Sequence, residues 1–255
     1  MNPFSTNTNS VLIGSNIIQI EETSSTNDVA EAMMRNEPVA DGTLIWAHYQ
    51  TCGRGEGGNT WESKAGKNLT ISIILRPEFL EPRHQFYISK IIALGIKDFI
   101  NLFSDGVTIK WPNDIYVKDD KISGILIENS FLGDKYSYCV VGIGININQR
   151  RFSSNLINPT SLSLITNHSF VLKECLFLLI SLLDNRYITL KENKFDQIDR
   201  DYNNNLYRYK KIHSYETPDG IIQAEIIGVK KTGEIMLSVT DNKIRSFGFK
   251  EVGYL

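Results

Sequence analysis

Apolar and polar residues repeat along this chain with two different periods, and each period predicts a different kind of element. In residues 68–75, Leu or Ile occupies every second position from Leu69 to Leu75, which is typical of a half-buried strand. Residues 84–103 instead carry an apolar stripe at helical spacing, which predicts an amphipathic helix. Shorter apolar runs predict further strands in this part of the chain, at 11–20, 43–50, 107–111, 122–128 and 137–147.

Two more helices are predicted, one from its capping residues and one from an apolar run. Ser25 and Asp28 have the spacing of a capping box, so a helix is expected to begin there and to end near Arg35. A second helix is expected at about 170–195, within the most apolar stretch of the chain. Because charged residues such as Lys173 interrupt this stretch, it predicts a core helix rather than a membrane span.

The last quarter of the chain changes character after residues 199–210, a polar stretch interpreted as a junction. Only short strands and turns are predicted beyond it, at 221–229, 233–239 and 244–249. The chain is therefore expected to be α+β, with a mixed sheet and flanking helices in residues 1–205 and a small barrel-like β domain in residues 206–255. Met1–Ser10 is polar and is expected to form a loose arm.

Composition indicates an ordinary globular protein in a reducing compartment. Of the 255 residues, 42% are hydrophobic and 22% are charged, and the net charge of −2 excludes a strongly basic nucleic-acid binder. Cys52, Cys139 and Cys175 are widely spaced and odd in number, so no disulfide framework is expected. The four histidines are scattered without zinc spacing, and the N-terminus does not look like a signal peptide. A cytoplasmic protein without a metal site is expected.

A glycine-rich loop is the first segment that could carry chemistry. Gly53–Gly58 contains four glycines in six positions, so its backbone can adopt positive φ and approach a ligand closely. Its N–H groups can bind an anion, and Arg54 adds a charged fork for carboxylate or phosphate. The alternative is a flexible surface loop, and the segment lacks the pattern of a Walker A loop.

The second candidate segment is Lys110-Trp111-Pro112-Asn113-Asp114. Proline cannot donate to a sheet, so a strand should end near Pro112 and leave Asn113 and Asp114 at its end, where site residues are common. After a predicted turn at Asp119-Asp120, Lys121 leads into the next apolar strand and could hold a carboxylate or phosphate. The alternative is a turn flanked by solvated charges.

Two further segments have both structural and binding interpretations. Gly142–Asn148 lacks the third glycine of a dinucleotide fingerprint. Glycines in such a strand usually mark close approach by a ligand or another strand. Ser24–Asn27 is typical of a helix N-cap, and the start of a helix is also a polar position that binds ligands.

In this order and spacing, the segments resemble the biotin protein ligase family. That family has Ser-Thr-Asn at a helix start, a Gln before GRGxxGxxW, then Asn-Leu, KWPND, a lysine before GIL, and a GxGxN strand. The corresponding residues here are Ser25-Thr26-Asn27, Gln50, Gly53–Trp61, Asn68-Leu69, Lys110–Asp114, Lys121 with Gly124-Ile125-Leu126, and Gly142–Asn146. The resemblance covers about residues 20–150.

The resemblance implies a fold, an activity and partners. The fold is a class II synthetase-like catalytic domain with a C-terminal SH3-like β-barrel. The activity is that of a biotin–[acetyl-CoA-carboxylase] ligase, in which biotin and ATP form biotinyl-5'-AMP with Mg²⁺. The biotin is then transferred to a lysine on the biotin carboxyl carrier domain of acetyl-CoA carboxylase or a related carboxylase. Barely 20 residues precede the Ser-Thr-Asn segment, so we expect a monofunctional ligase, monomer or homodimer, that binds neither DNA nor membrane.

The resemblance also assigns roles to individual residues. The catalytic residues are expected to be Lys121, Arg54 and Asp114. The expected biotin-binding residues are Ser25, Thr26, Asn27, Gln50, Gly53, Arg54, Gly55, Glu56, Lys121 and Gly124. The expected adenylate-binding residues are Arg54, Trp61, Lys110, Asn113, Lys121 and Asn146.

One departure from the family pattern changes what is expected of this chain. Many members carry a second arginine at the position of Glu56, and that arginine helps to retain the adenylate. A carboxylate there would repel the phosphate, unless Glu56 points away or Lys67, Arg54 or bound Mg²⁺ compensates. The hypothesis is looser retention of the adenylate.

Three alternative functions remain open from the sequence. One is another acyl-adenylating transferase on the same fold, such as a lipoate or octanoyl ligase. Another is an inactive biotin or nucleotide sensor, and the third is an interaction module built on the β tail.

Overall fold

The structure is a computed structural model that describes residues 12–36, 38–239 and 243–255. The loose arm predicted at Met1–Ser10 lies outside the described residues. The strands of the first sheet are β1 Ile17–Thr23, β2 Leu44–Gln50, β3 Leu69–Leu75, β4 Val107–Lys110, β5 Asp114–Val117, β6 Asp120–Leu132 and β7 Lys135–Ile145. The helices are α1 Thr26–Asn36, α2 Phe86–Asn101, α3 Leu162–Thr166, α4 Leu172–Lys191 and α5 Phe195–Asn204. The second sheet contains β8 Ile212–Thr217, β9 Gly220–Val229, β10 Ile235–Val239, β11 Ile244–Phe247 and β12 Gly253–Tyr254.

The first sheet is mixed, as predicted. Its strand order is β1-β2-β3-β7-β6-β5-β4. β1 and β2 are parallel and are connected through α1, whereas every other neighbouring pair is antiparallel. The chain thus has the mixed α+β architecture that the alternation of helical and strand patterns predicts.

The prediction that β3 is half-buried is wrong, because all seven of its residues are buried. The alternate residues Leu69 to Leu75 join the main hydrophobic core together with α2 and α4. On the opposite face, Ile74 packs in a smaller apolar cluster that contains Ala30 of α1. The period-2 pattern arises because Thr70 and Ser72 are polar, yet both are buried and hydrogen-bonded.

The first predicted strand begins later than expected. Residues 12–16 form a turn, and β1 covers Ile17–Thr23 instead of 11–20. Gly14 has φ +79° and donates its N–H to the Gly42 carbonyl at 2.8 Å. A β-carbon at Gly14 would also crowd Ile180 of α4. Because the backbone at Gly14 is left-handed, the strand begins only after this glycine.

Several shorter elements were not predicted. β5 forms a hairpin with β4 across a cis Trp111–Pro112 peptide bond, and α3 and β8 were also missed. The turn before β6 lies at residues 118–119 rather than at Asp119-Asp120. The predicted junction at 199–210 is wrong in its first half, which belongs to α5. Ile198 and Tyr202 of that helix are one turn apart and fully buried among polar neighbours.

The second sheet has the order β11-β10-β9-β8-β12. Among the described residues its outer strands β11 and β12 are not paired with each other, so a closed SH3-like barrel is not confirmed. The main hydrophobic core continues from the first sheet into the second. The Trp111 indole N–H donates to the Gly233 carbonyl at 2.8 Å across this contact. The division between residues 205 and 206 stays a prediction.

Two smaller expectations from the sequence can be compared with the structure. Cys52, Cys139 and Cys175 are free thiols, as expected for a chain without a disulfide framework. The helix at α4 was predicted as a core helix, and nine of its residues are buried. In the part of the chain that the structure describes, no helix has the length and apolar character needed to cross a bilayer.

Candidate functional site

A cleft of about 700 Å³ opens over the middle of β6 and β7. The beginning of α1 and the glycine-rich loop form one side of it, and the β4–β5 hairpin forms the other. Most of the predicted site residues line this cleft, namely Ser25, Thr26, Asn27, Gln50, Arg54, Gly55, Glu56, Trp61, Asn113, Asp114, Lys121 and Gly124. The topology therefore brings together segments that are about 100 residues apart in the chain.

Arg54 is held in the cleft by carboxylates. Its guanidinium donates two hydrogen bonds to Glu128, from Nη1 to Oε1 at 2.9 Å and from Nη2 to Oε2 at 2.7 Å. The same Nη2 is 2.9 Å from Oδ1 of Asp28. The hydrogen bond to Glu128 raises the pKa of Arg54, while desolvation lowers it and the charge of Asp28 raises it further. An anionic ligand would compete with these two carboxylates for one guanidinium.

Lys121 lies near the start of β6 and is paired with Asp114 of the neighbouring strand. The Lys121 ammonium is 2.7 Å from Oδ1 of Asp114, and both side chains are only partly exposed. It also lies 5.8 Å from the centre of a Trp61 ring. The backbone of Lys121 is fixed on both sides, since its N–H donates to the Asn158 carbonyl and its carbonyl accepts from the Thr160 N–H. The position of this ammonium is therefore set by the fold.

A chain of polar contacts fixes the beginning of α1. The Gln50 side-chain oxygen accepts from the Thr26 backbone N–H at 2.8 Å and from its hydroxyl at 3.0 Å. The Ser72 hydroxyl lies within hydrogen-bond distance of Thr26 and donates to Oδ1 of Asn27 at 2.5 Å. The Asn27 amide donates to Glu128 at 2.7 Å. Both ends of the Asn27 side chain thus bind protein atoms, so Asn27 positions Ser72 and Glu128.

Glycines in β6 and β7 make room for side chains that enter the cleft. A β-carbon at Gly144 would overlap the Trp61 indole, and one at Gly142 would overlap the Asn27 side chain. A β-carbon at Gly124 would come within 3.1 Å of the same indole. The glycines of the GIGIN strand are approached closely, by protein side chains instead of the ligand or strand that was expected.

The glycine-rich loop contains a short 3₁₀ turn at Glu56–Gly58. Gly57 and Gly58 have φ of +68° and +89°, in the region that favours glycine. A β-carbon on Gly57 would lie 3.0 Å from the Lys250 ammonium. The loop therefore approaches the segment between β11 and β12, and Glu56 lines both the cleft and a second space beside it.

Three predicted site residues do not line the cleft. Lys110 contacts the hydroxyl of Tyr116 at 3.2 Å and lies over the rings of Tyr116 and Tyr254, and burial lowers its pKa. Asn146 is buried and donates to the Thr160 carbonyl at 2.9 Å. A β-carbon at Gly53 would meet the Trp61 carbonyl at 2.5 Å. Their predicted contacts with a ligand stay predictions.

Sequence reasoning missed Glu128, Asp28 and Ser72. The only sequence signal for Ser72 is a hydroxyl inside an otherwise apolar strand. Asp28 was interpreted as part of a helix cap, which does not identify its partner. Nothing in the sequence pairs Glu128 with Arg54, because their contact depends on the packing of the loop against β6.

The chain matches the family described as the Biotin/lipoate A/B protein ligase family over residues 20–146. It is 35% identical over 142 residues to the bifunctional ligase/repressor BirA of Bacillus subtilis, covering 54% of this chain and 42% of that protein. It is 33% identical over 131 residues to the biotin–[acetyl-CoA-carboxylase] ligase of Paracoccus denitrificans, covering 50% of this chain and 53% of that protein. The chain thus spans about half of the length of these two relatives.

Solved structures agree over nearly the whole chain. The biotin protein ligase from Aquifex aeolicus in complex with biotin and ATP is similar with a TM-score of 0.77 at 25% identity, covering 94% of this chain and 98% of that one. The biotin protein ligase from Leishmania major in complex with biotinyl-5-AMP shares the fold, with a TM-score of 0.58 at 23% identity, covering 92% of this chain and 99% of that one. The family match covers the same motifs that line the cleft, and the chain belongs to the biotin/lipoate A/B protein ligase family.

Proposed function

We propose that this chain is a biotin protein ligase, which activates biotin with MgATP and transfers it to a lysine of a biotin carboxyl carrier domain. The observation that carries the proposal is that Arg54 and Lys121 line one cleft, beside Trp61 and Asn27 side chains that pack on the glycines of β6 and β7. Two anions must meet in this reaction, and fixed cations offset their repulsion. The names of the Paracoccus relative and the Aquifex structure support biotin and ATP as substrates.

The chemistry proceeds in two steps. An oxygen of the biotin carboxylate attacks the α-phosphorus of ATP, and the bond from that phosphorus to pyrophosphate breaks. The amine of the acceptor lysine then loses a proton and attacks the acyl carbon, and AMP leaves. Holding the reactants in one pocket contributes much of the rate enhancement, because it removes the need for chance encounters in solution.

The Lys121–Asp114 pair gives these two steps an order. The Lys121 ammonium is 2.7 Å from the Asp114 carboxylate. When carboxylate and phosphate enter, they compete with Asp114 for the ammonium, and the Asp114 carboxylate is released. It is then available to orient or deprotonate the acceptor amine, which arrives after the adenylate has formed.

The remaining predicted contacts belong to the same proposal. Thr26 and Gln50, with Ser25 beside them, present polar groups at one end of the cleft for the ureido ring of biotin. Trp61 and Asn113 border the space for the adenylate, and Arg54 closes over it and excludes water. The second sheet is proposed to be the SH3-like C-terminal domain. Action as a ligase alone, without DNA binding, and a cytoplasmic location stay predictions.

Mass spectrometry of a carrier domain tests the proposal directly. The domain is incubated with this protein, biotin and MgATP, and a mass increase equal to one biotin is expected. Lys121→Ala should abolish the increase. Biotin-dependent exchange between ATP and pyrophosphate should report the first step alone. Exchange that requires lipoate or octanoate instead of biotin would support the other acyl-adenylating transferases, and no exchange with any acid would support an inactive sensor.

A further inference from the structure

A second cavity of about 670 Å³ lies beside the cleft. Glu56, Asn113 and Ile125 line both spaces, so the two adjoin at these three residues. The start of α2 and the strand β6 form its walls. Thr232 and Phe249 of the C-terminal part of the chain close its other side. Apart from Glu56 and Asn113, which it shares with the cleft, its lining contains no residue that was predicted to bind biotin or the adenylate.

The lining of the second cavity fits a polypeptide better than a polyphosphate. Gln85 and Asn129 line it as a hydrogen-bonded amide pair at 2.8 Å, and the Thr232 hydroxyl donates to Glu234. Such exposed neutral groups can exchange these partners for a peptide backbone. Phe86, Ile127 and Phe249 supply apolar surface for side chains. The only charged side chain in the lining is the carboxylate of Glu56, which attracts an amine and repels phosphate.

We propose that this cavity binds the acceptor polypeptide around its target lysine, and that Glu56 guides the lysine ammonium from the second cavity into the cleft. The inference rests on the proposed ligase function and names the place where its protein substrate docks. The acceptor chain lies against the apolar wall between α2 and the second sheet. Its lysine side chain passes Asn113 and Glu56, which line both spaces, toward Asp114, which lines the cleft.

Thr232→Trp tests this assignment, because Thr232 is exposed and a bulky ring there fills the cavity mouth. Lys231→Trp is the matched control, since Lys231 is exposed in the same turn and does not line the cavity. The KM for a biotin carboxyl carrier domain should rise about tenfold in Thr232→Trp, a change typical of losing one good interface contact. The KM for MgATP is measured by biotin-dependent pyrophosphate exchange. Its rise should be at least fivefold smaller than the rise in the KM for the carrier domain.

Phe249→Ala provides a second variant that removes apolar contact instead of filling space. It should raise the KM for the carrier domain in the same selective way, with the thermal midpoint confirming that it is folded. An equal or larger rise in the KM for MgATP would assign the cavity to the triphosphate and overturn the proposal. An unchanged KM for the carrier domain in both variants would also overturn it. Absence of exchange in the unmodified protein would instead reject the ligase function itself.

Discussion

Two lysine–aspartate pairs in this chain have nearly the same geometry and different surroundings. Lys121 and Asp114 are 2.7 Å apart in the cleft, where the Lys121 side chain is 33% exposed. Lys90 and Asp199 are 2.6 Å apart, and the Lys90 side chain is 0% exposed. Only the first pair can exchange its partner for a ligand, because only its ammonium is accessible.

The buried pair connects three elements that a hydrophobic contact alone would leave free to slide. Lys90 of α2 binds Asp199 of α5 and the Val229 carbonyl of β9, while the Tyr87 hydroxyl donates to the same aspartate at 2.9 Å. The Tyr202 ring lies 5.5 Å from the ammonium. Burial lowers the pKa of Lys90, and the hydrogen bond to Asp199 raises it. This pair therefore stabilises the contact between the two sheets, whereas the cleft pair is placed for chemistry.

Lys121→Ala should give the largest effect and should act on activity alone. We expect the rate of biotin-dependent pyrophosphate exchange to fall by about 10³-fold, the loss typical of removing one group that stabilises developing charge. Because the side chain is partly exposed, the thermal midpoint should change by less than about 2 °C. Exchange kinetics and thermal melting measure the two quantities. A variant that keeps more than about a tenth of the exchange rate would show that this ammonium is not central.

Lys90→Met should give the opposite pattern. The substitution keeps apolar volume and leaves the Asp199 carboxylate without the Lys90 ammonium. We therefore expect a loss of about 3 kcal/mol in the free energy of unfolding. Urea unfolding followed by tryptophan fluorescence measures the loss. Lys97→Met, at a partly exposed position of the same helix, is the control and should change the free energy by less than about 0.5 kcal/mol. If the exchange activity per folded molecule of Lys90→Met fell as steeply as that of Lys121→Ala, the buried pair would also be required for activity. The distinction between a stabilising pair and a catalytic pair would then be wrong.

Glu56→Arg replaces a carboxylate that lines the cleft by a cation, in addition to Arg54 and Lys121. Removing a carboxylate and adding a guanidinium beside the phosphate should slow adenylate dissociation by about tenfold. Rapid dilution of the enzyme–adenylate complex measures this rate, and Glu56→Gln should give an intermediate value. If neither variant slows dissociation, Glu56 does not act on the adenylate and serves the acceptor amine alone.

The sequence predicted the segments of the site better than the contacts within them. Arg54, Lys121 and Asp114 lie in short motifs, and the structure brings these motifs to one cleft because β6 lies between β5 and β7. The prediction could not separate Lys110 from Asp114, because the two residues are opposite each other across the β4–β5 hairpin and differ only in their partners. Asp114 binds Lys121, whereas the longer Lys110 side chain reaches Tyr116. Lys110 packs instead against Tyr254 near the end of the chain.

The fold shows the same limit. Apolar patterns located α2, β2 and β3, and capping residues located α1, but they could not show that α1 covers the second face of β3. That coverage follows from the parallel pairing of β1 with β2, a long-range contact that places the crossover helix on the sheet. The buried Ser72 is a consequence, because its hydroxyl meets α1 at that face.

Glu128→Gln should give the smallest effect and tests the carboxylate that binds Arg54. The Glu128 carboxylate accepts two hydrogen bonds from Arg54 and one from Asn27. Bound phosphate must compete with it, and a neutral amide competes less strongly, by about 0.5–1 kcal/mol for a pair this exposed. We therefore expect adenylate dissociation to slow by about threefold. Asp28→Asn removes the other carboxylate partner of Arg54 without touching Asn27, so it separates the two contacts. Faster dissociation in Glu128→Gln and an unchanged rate in Asp28→Asn would show the reverse, namely that Glu128 holds Asn27 and Arg54 in the geometry that retains the adenylate.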